Sequence, residues 1–272
     1  MDIFLFVGRQ GVILHQLARD RKRFGELIKY FGRRRISGRS SGELALKIGK
    51  LFLGTPYRGG LLETKAEHLV INLQEFDCVT FVETVVALAG CVNHQQKSYE
   101  VFKKRLRRIR YREGRLQGYP SRLHYFSDWI YDNQRKEILK DVTAEIGGRP
   151  WRKTLAFMTT HPDLYPPLRR RANLRGMRAI ERRISRRSVF FIPKKVLKRL
   201  EHRIREGDLI AITTNTGGLD VQHVGFAARV NNRIHLLNAS STEGKVVLSR
   251  QTLHRYLIQG KTRSGIMVAR VS

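Results

Sequence analysis

At Gly207 the spacing of apolar residues changes, and this change constrains the fold more than any other feature of the chain. Before it, apolar side chains recur every three to four residues. After it they alternate through 208–214, 222–230, 233–239, 245–249 and 266–271, with a short helix near 251–257. Helices first and strands afterwards predict an α+β protein with its sheet built from the C-terminal part.

The strand region contains its own ruler. Asn231-Asn232 reads as a two-residue hairpin turn of type I′. That turn sets Val230 opposite Arg233, Gly225 opposite Asn238 and His223 opposite Ser240. His223, Gly225, Asn238 and Ser240 then share one face, with His223 and Asn238 diagonal neighbours. Gly225 leaves room for an imidazole to lean towards the amide. A face of His, Gly, Asn and Ser is a poor core and a good site.

The helical part is organised around 75–90. Val79, Val82, Val85, Val86 and Ala89 make an apolar face that Phe81 and Leu88 widen. Asp77 is an N-cap candidate, Thr80 with Glu83 offers a capping box one turn later, and Gly90 is a stop. Cys78 falls in the first turn, where free N–H groups and the helix dipole favour a thiolate, drawing its pKa from about 8.5 towards roughly 6–7. The plainer reading is a small buried hydrophobe. Cys91 lies on nearly the opposite helical face and reads as structural. With no Cys-x-x-Cys and no His-Glu-x-x-His, neither a metal nor another cofactor is expected.

The 272 residues carry 53 Lys and Arg against 23 Asp and Glu, a net charge of +30. Such a field favours anionic partners. Residues 1–40 read as a basic arm and linker: an amphipathic helix over 9–35 with Ile13, Leu17, Phe24, Leu27, Ile28 and Phe31 as its stripe, then a break at 37–42. The helix is suited either to docking on the main domain or to lying on a membrane surface. Residues 41–272 form that domain. It begins with a helix capped by Ser40 and Glu43 that runs to about Phe52, and Tyr57 sits in a glycine-rich loop after it. A basic helix follows at 101–112. Ser121 suits the cap of a helix from Leu123 that would put His124 and Asp128 on one face. A helical insertion lies around 141–206, with basic helices near 168–187 and 194–205. Their arginine clusters lack any nucleic-acid-binding signature and read as a solvated layer. The run Ile3-Phe4-Leu5-Phe6-Val7 is too short for a signal-peptide core or a membrane span. The protein is therefore expected in the cytoplasm, or in the bacterial envelope or periplasm if a leader precedes this start.

A cysteine at a helix N-terminus, a histidine on a strand and an amide on the next strand are the parts of a papain-like nucleophilic site. The Cys78 N–H and the Tyr57 hydroxyl are candidates for stabilising an oxyanion. The motifs Gly54-x-Pro-Tyr57-x-Gly-Gly60, Asp77-Cys78-x-x-Phe81-Val82, Gly207-Asp208, His223-Val224-Gly225 and Leu236-Leu237-Asn238-Ala239-Ser240-Ser241 resemble those of the NlpC-type cell-wall cysteine amidases. Asn72-Leu73 through Glu83, Ser121-Arg122-Leu123-His124-Tyr125 and Gly217-Gly218-Leu219-Asp220 resemble most closely the N-acetylmuramoyl-L-alanine amidase-like branch, over about 44–271.

The resemblance implies a papain-like (NlpC-type) fold, with the Cys-bearing helix packed on an antiparallel sheet and extra basic helices around it. It implies a muropeptide substrate from bacterial peptidoglycan, cut between N-acetylmuramic acid and L-alanine. Carried over by position, Cys78 is the nucleophile, His223 the base and Asn238 the third polar residue, where relatives often carry His. Asp220 is the alternative third residue, and Arg122, His124 and Tyr125 are candidates for gripping substrate. A γ-D-glutamyl peptidase using the same triad is the competing enzyme. A binder of nucleic acid or anionic surfaces with an incidental cysteine is the reading from another class.

Overall fold

The computed structural model describes residues 3–32 and 40–272, with side chains from Gln16 to Phe31 and from Ser40 onward. The chain begins with α1 (Ile3–Gly32), α2 (Ser41–Lys50), α3 (Cys78–Asn93), α4 (Tyr99–Arg110) and α5 (Phe126–Arg135). Short elements alternate next: β1 (Leu139–Asp141), α6 (Thr143–Ile146), β2 (Arg149–Trp151), α7 (Phe157–Thr160), α8 (Arg171–Ser185), β3 (Val189–Pro193) and α9 (Lys194–Leu200). The C-terminal part is β4 (Leu209–Thr214), β5 (Val221–Val230), β6 (Arg233–Ser240), β7 (Lys245–Thr252), α10 (Leu253–Gln259) and β8 (Arg263–Val271).

The strands form one antiparallel sheet in the order β2-β3-β8-β4-β5-β6-β7. The outer edge of β8 is shared, β3 pairing near its start and β1 near its end. Leu209 and Ala211 face a large core made with α1 to α5, while Ile210 and Ile212 face a second core under α9 and α10. Covered on both sides, β4 is buried along its whole length and apolar without a break from Leu209 to Ile212, in place of the alternation expected there. Asn231 and Asn232 both have positive φ, 46° and 61°, as the predicted hairpin turn requires, and Val230 pairs with Arg233.

Helix α3 is the centre of the larger core, with Phe81, Val82, Val85 and Ala89 wholly buried. Its capping box uses Asp77 and Thr80: Thr80 N donates to Asp77 Oδ1 at 2.7 Å, and Asp77 N to Thr80 Oγ1 at 3.0 Å. Glu83, the alternative capping residue, is instead buried in the core. It accepts from Arg110 Nε at 2.6 Å and from Trp129 Nε1 at 3.1 Å. The helix does not stop at Gly90, which lies under the side chain of Arg105 from α4.

The α1 stripe turns inward from Phe24 on, while Leu17, predicted as part of it, is exposed. Phe24, Leu27, Ile28 and Phe31 are buried, and Phe24 meets Tyr99 and Phe102 at ring distances of 5.5 and 5.4 Å. Asp20, also buried, accepts from Leu73 N at 2.8 Å and so ties the arm to the loop ahead of Cys78. Ile13 and residues 37–39 of the predicted break at 37–42 lie outside the side chains described, and the rest of that break is the Ser40 cap and first two residues of α2. Among the described residues no helix is long and apolar enough to cross a membrane.

Two expectations are corrected. The helix predicted from Leu123 starts at Phe126, because Tyr119–Ser121 forms a 3-10 turn and Ser121 Oγ is engaged with Gly118 O at 2.6 Å. His124 therefore precedes the helix and shares no helical face with Asp128, which is buried between Arg112 (2.6 Å) and Arg187 (2.5 Å). The stretch around 141–206 is also less helical than predicted. β2 and β3 extend the main sheet, and only α7 and α8 build a separate small core around Leu155, Met158, Met177 and Ile184. Val189-Phe190-Phe191-Ile192 is too short to show a period beside helices this basic.

Candidate active site

The sheet opens where α3 points its first turn. β5 and β6 pair from Val230–Arg233 as far as Phe226–Leu237; beyond this, β5 stays with β4 and β6 with β7. The backbone N–H groups of Val224, Cys78 and Val79 all favour the Cys78 thiolate, so the sulfur lies near both this end of β5 and the first turn of α3. The thiol, on a half-buried residue, is thus held between a helix N-terminus and the strand position next to His223.

His223 Nε2 meets Asn238 Oδ1 at 2.8 Å. The amide cannot rotate freely, because Asn238 Nδ2 donates to Leu236 O at 3.1 Å. Its oxygen therefore faces the ring, Nε2 carries the proton and Nδ1 keeps the lone pair. A Cβ on Gly225 would lie 2.6 Å from Leu237 O and 2.9 Å from Asn238 Cβ, so only glycine lets the strands approach here.

Two tyrosines complete the surroundings. Tyr57 is fixed by a parallel bridge to Phe76 and by its N–H on Gly244 O at 2.8 Å, and its phenol lies in the field of Cys78 and Asp77. Tyr256, on α10, has its ring 6.4 Å from that of His223 and lies in the field of the thiol. The Arg263 guanidinium stacks on Tyr256 at 3.6 Å. Neither Tyr256 nor Arg263 was legible in the sequence, since a short helix between two strands gives no signal of which side chain faces the site.

Protonation follows from burial. Burial, with the Asp77 carboxylate adding to it, pushes the Cys78 thiol up to about 12, and three N–H donors only partly offset this. Relative to its ordinary value the thiolate is disfavoured by about 4 kcal/mol. A helix N-terminus returns about 0.3–2 kcal/mol, so the expected depression of the cysteine pKa is overturned. Burial first, with the Arg263 cation opposed to Asn238, pushes His223 below its ordinary value. The resting pair is a neutral thiol and a neutral imidazole.

A family model described as N-acetylmuramoyl-L-alanine amidase-like matches residues 47–266. The chain belongs to this family. Among solved structures, an N-acetylmuramoyl-L-alanine amidase from Bacteroides uniformis is 39% identical with a TM-score of 0.81, over 85% of this chain and 99% of that one. A Bacteroides fragilis protein that carries a provisional xylanase name is 42% identical with a TM-score of 0.78, over 82% and 99%. A Legionella pneumophila protein is 25% identical with a TM-score of 0.70, over 94% and 96%. No curated protein matches.

In this amidase-like chain the other predicted site residues lie apart from Cys78. Asp220 is buried and accepts from Ser127 N and Val221 N, both at 2.7 Å. It caps α5, while Asn238 is the partner of His223. Tyr125 is buried, with its hydroxyl donating to Glu181 at 2.7 Å and accepting from Met158 N at 3.1 Å. Arg122 is buried too, pairing with Glu63 at 2.8 Å and Glu67 at 3.4 Å and stacking on Tyr119. His124 Nε2 meets Tyr119 O at 2.9 Å. Arg122 thus fastens the 63–68 loop to the turn before α5 and Tyr125 is held from α8 and α7, while His124 stays half-exposed. Among the described residues no group of three His, Cys, Asp or Glu side chains is placed to hold a metal ion.

Proposed function

We propose that this protein is a cysteine-dependent amidase with a papain-like, NlpC-type arrangement, cutting the bond between N-acetylmuramic acid and L-alanine in peptidoglycan fragments. One observation carries the reading. The Cys78 thiol, at the N-terminus of α3, lies in reach of the N–H next to His223, whose Nε2 is held by Asn238 at 2.8 Å.

Because both groups start neutral, His223 acts as a general base. As Cys78 Sγ attacks the lactyl carbonyl carbon, its proton passes to His223 Nδ1. The imidazolium that forms keeps its Nε2–H on Asn238 Oδ1, and the oxyanion draws on the α3 N–H groups and the Tyr57 hydroxyl. His223 then returns the proton to the alanine nitrogen, the C–N bond breaks and the peptide leaves. Water, deprotonated by His223, hydrolyses the thioester and restores the thiol.

The xylanase name of one neighbour calls for two carboxylates flanking a glycosidic bond, roughly 5–10 Å apart. The carboxylate beside Cys78 is Asp77, and it is taken up by Thr80. Sulfur chemistry on an acyl group fits the surroundings better.

The test uses muramyl-tripeptide, the free tripeptide and intact peptidoglycan, with products read by mass spectrometry. Release of the peptide from the muramyl compound is expected. Release of L-Ala–D-Glu from the free tripeptide would make the protein a γ-D-glutamyl peptidase instead. No product from any of the three, with Cys78 reduced, would return the protein to the binding class.

A further inference from the structure

A cavity of about 540 Å³ lies between the C-terminal half of α4 and the end of α5, well separated in sequence from every residue of the thiol site. Lys104, Arg107 and Arg108 line it from α4, at the three- and four-residue spacings that put them on one face. Arg135 and Lys136 line it from the end of α5.

Basic residues at helix C-termini often serve only to satisfy carbonyls and the dipole. Here Lys136 does that work together with one arm of Arg108, whose guanidinium donates to Lys136 O at 2.8 Å. The Lys136 ammonium donates to Arg108 O and to Tyr111 O (3.2 Å) and pairs with Asp132 at 2.6 Å. Asp132 is used further by the Glu113 N–H at 3.2 Å. The second carboxylate in the wall, Glu113, faces Arg115 at 3.9 Å. Among the described residues no carboxylate pairs with Lys104, Arg107, Arg108 or Arg135. All four are exposed around one concavity, where they repel one another.

We propose that this cavity binds a phosphate group. The guanidinium forks of Arg107 and Arg135, the ammonium of Lys104 and the remaining nitrogens of Arg108 line one hollow, and such a set matches a compact dianion with several acceptor oxygens better than a single carboxylate. The volume also accommodates the group that carries the phosphate. A nucleic-acid duplex, whose backbone lies on a broad convex rod, does not enter such a hollow. The phosphate comes from a small soluble compound or from a lipid headgroup.

The test compares three full-length proteins: the wild type, Lys104→Gln/Arg107→Gln, and Arg178→Gln/Arg182→Gln, which removes the same charge from the exposed face of α8. Pyrophosphate binding is measured by calorimetry at fixed ionic strength, and binding to phosphatidylglycerol vesicles by sedimentation. The cavity variant is expected to bind at least tenfold more weakly than the wild type, with the α8 variant unchanged and muropeptide cleavage equal in all three. Should the double variant fail to fold by circular dichroism, Arg135→Gln takes its place. Pyrophosphate binding by the wild type identifies a soluble phosphate as sufficient. Vesicle binding alone, lost in the cavity variant, identifies a lipid-borne one. Equal binding by all three proteins, binding of neither probe, or sensitivity of oligonucleotide binding alone would overturn the proposal.

Discussion

The two ends of α3 each carry a cysteine, and they differ in what surrounds them rather than in acidity. Burial pushes Cys78 up to about 12 and Cys91 up to about 11. Cys91 is wholly buried among apolar side chains, with Arg105 the charge that reaches it. Cys78 is half-buried, sits on free N–H groups and lies beside a strand that presents an oriented imidazole. In the proposed mechanism reactivity comes from a base and a set of donors placed before reaction, and not from a depressed resting pKa.

Substitution breaks the comparison most sharply. Cys78→Ala should abolish hydrolysis, a loss of at least about 10⁴-fold, with an unchanged circular dichroism spectrum. Cys91→Ala should leave kcat within about twofold and cost about 1 kcal/mol of stability in urea unfolding. Activity surviving in Cys78→Ala would remove the nucleophile from the mechanism. His223→Ala should cost nearly as much as Cys78→Ala, and the double variant little more, since the two act as one unit. Additive losses would show that they do not.

The amide tests the same comparison more finely. Asn238→Ala should lower kcat about 10²-fold, because the ring loses its orientation while the base remains. Asn238→His should retain activity within about tenfold of the wild type. A wild-type kcat in Asn238→Ala would place the orienting group elsewhere. Asp220 is a poor substitute, since its carboxylate is committed to α5.

The smallest effect is in pH. In the proposed mechanism His223 is the base, and burial holds its pKa below the ordinary 6.5. The base form gains as pH rises through that lowered value, so the acid limb of kcat/KM should fall below pH 6.5. Iodoacetamide should label Cys78 and spare Cys91. The Cys78 rate should climb with pH throughout the neutral range, as expected for a thiol held near 12. A rate already flat in mild acid would mean a thiolate–imidazolium pair of the kind with a pKa of about 3–4.

Much of the site was legible because it rests on short-range rules. Asp77 before an apolar helix placed Cys78 in its first turn, and the Asn231-Asn232 turn set the register from Val230–Arg233 to Phe226–Leu237. The predicted pairs Gly225–Asn238 and His223–Ser240 lie beyond that ladder, where a side-chain hydrogen bond joins His223 to Asn238. Local pattern misled where a distant partner decided the matter. Glu83 has capping spacing yet is buried against Arg110 and Trp129, and Ser121 has capping chemistry yet Asp220, far along the chain, caps α5. Tyr256 and β3 left no trace, one because its orientation depends on the packing of α10, the other because it is five residues long.

The sequence by itself determined the order of the C-terminal strands, the hairpin turn with the register next to it, and the place of Cys78 in the first turn of α3. These depend on periodicity, turn conformation and caps, which act within a few residues. Only the tertiary structure decided that β5 and β6 part where α3 points, that Arg122 and Tyr125 turn inward, and that the thiol stays protonated. Burial and charge pairing decide these, and both depend on which distant residues come to surround a group.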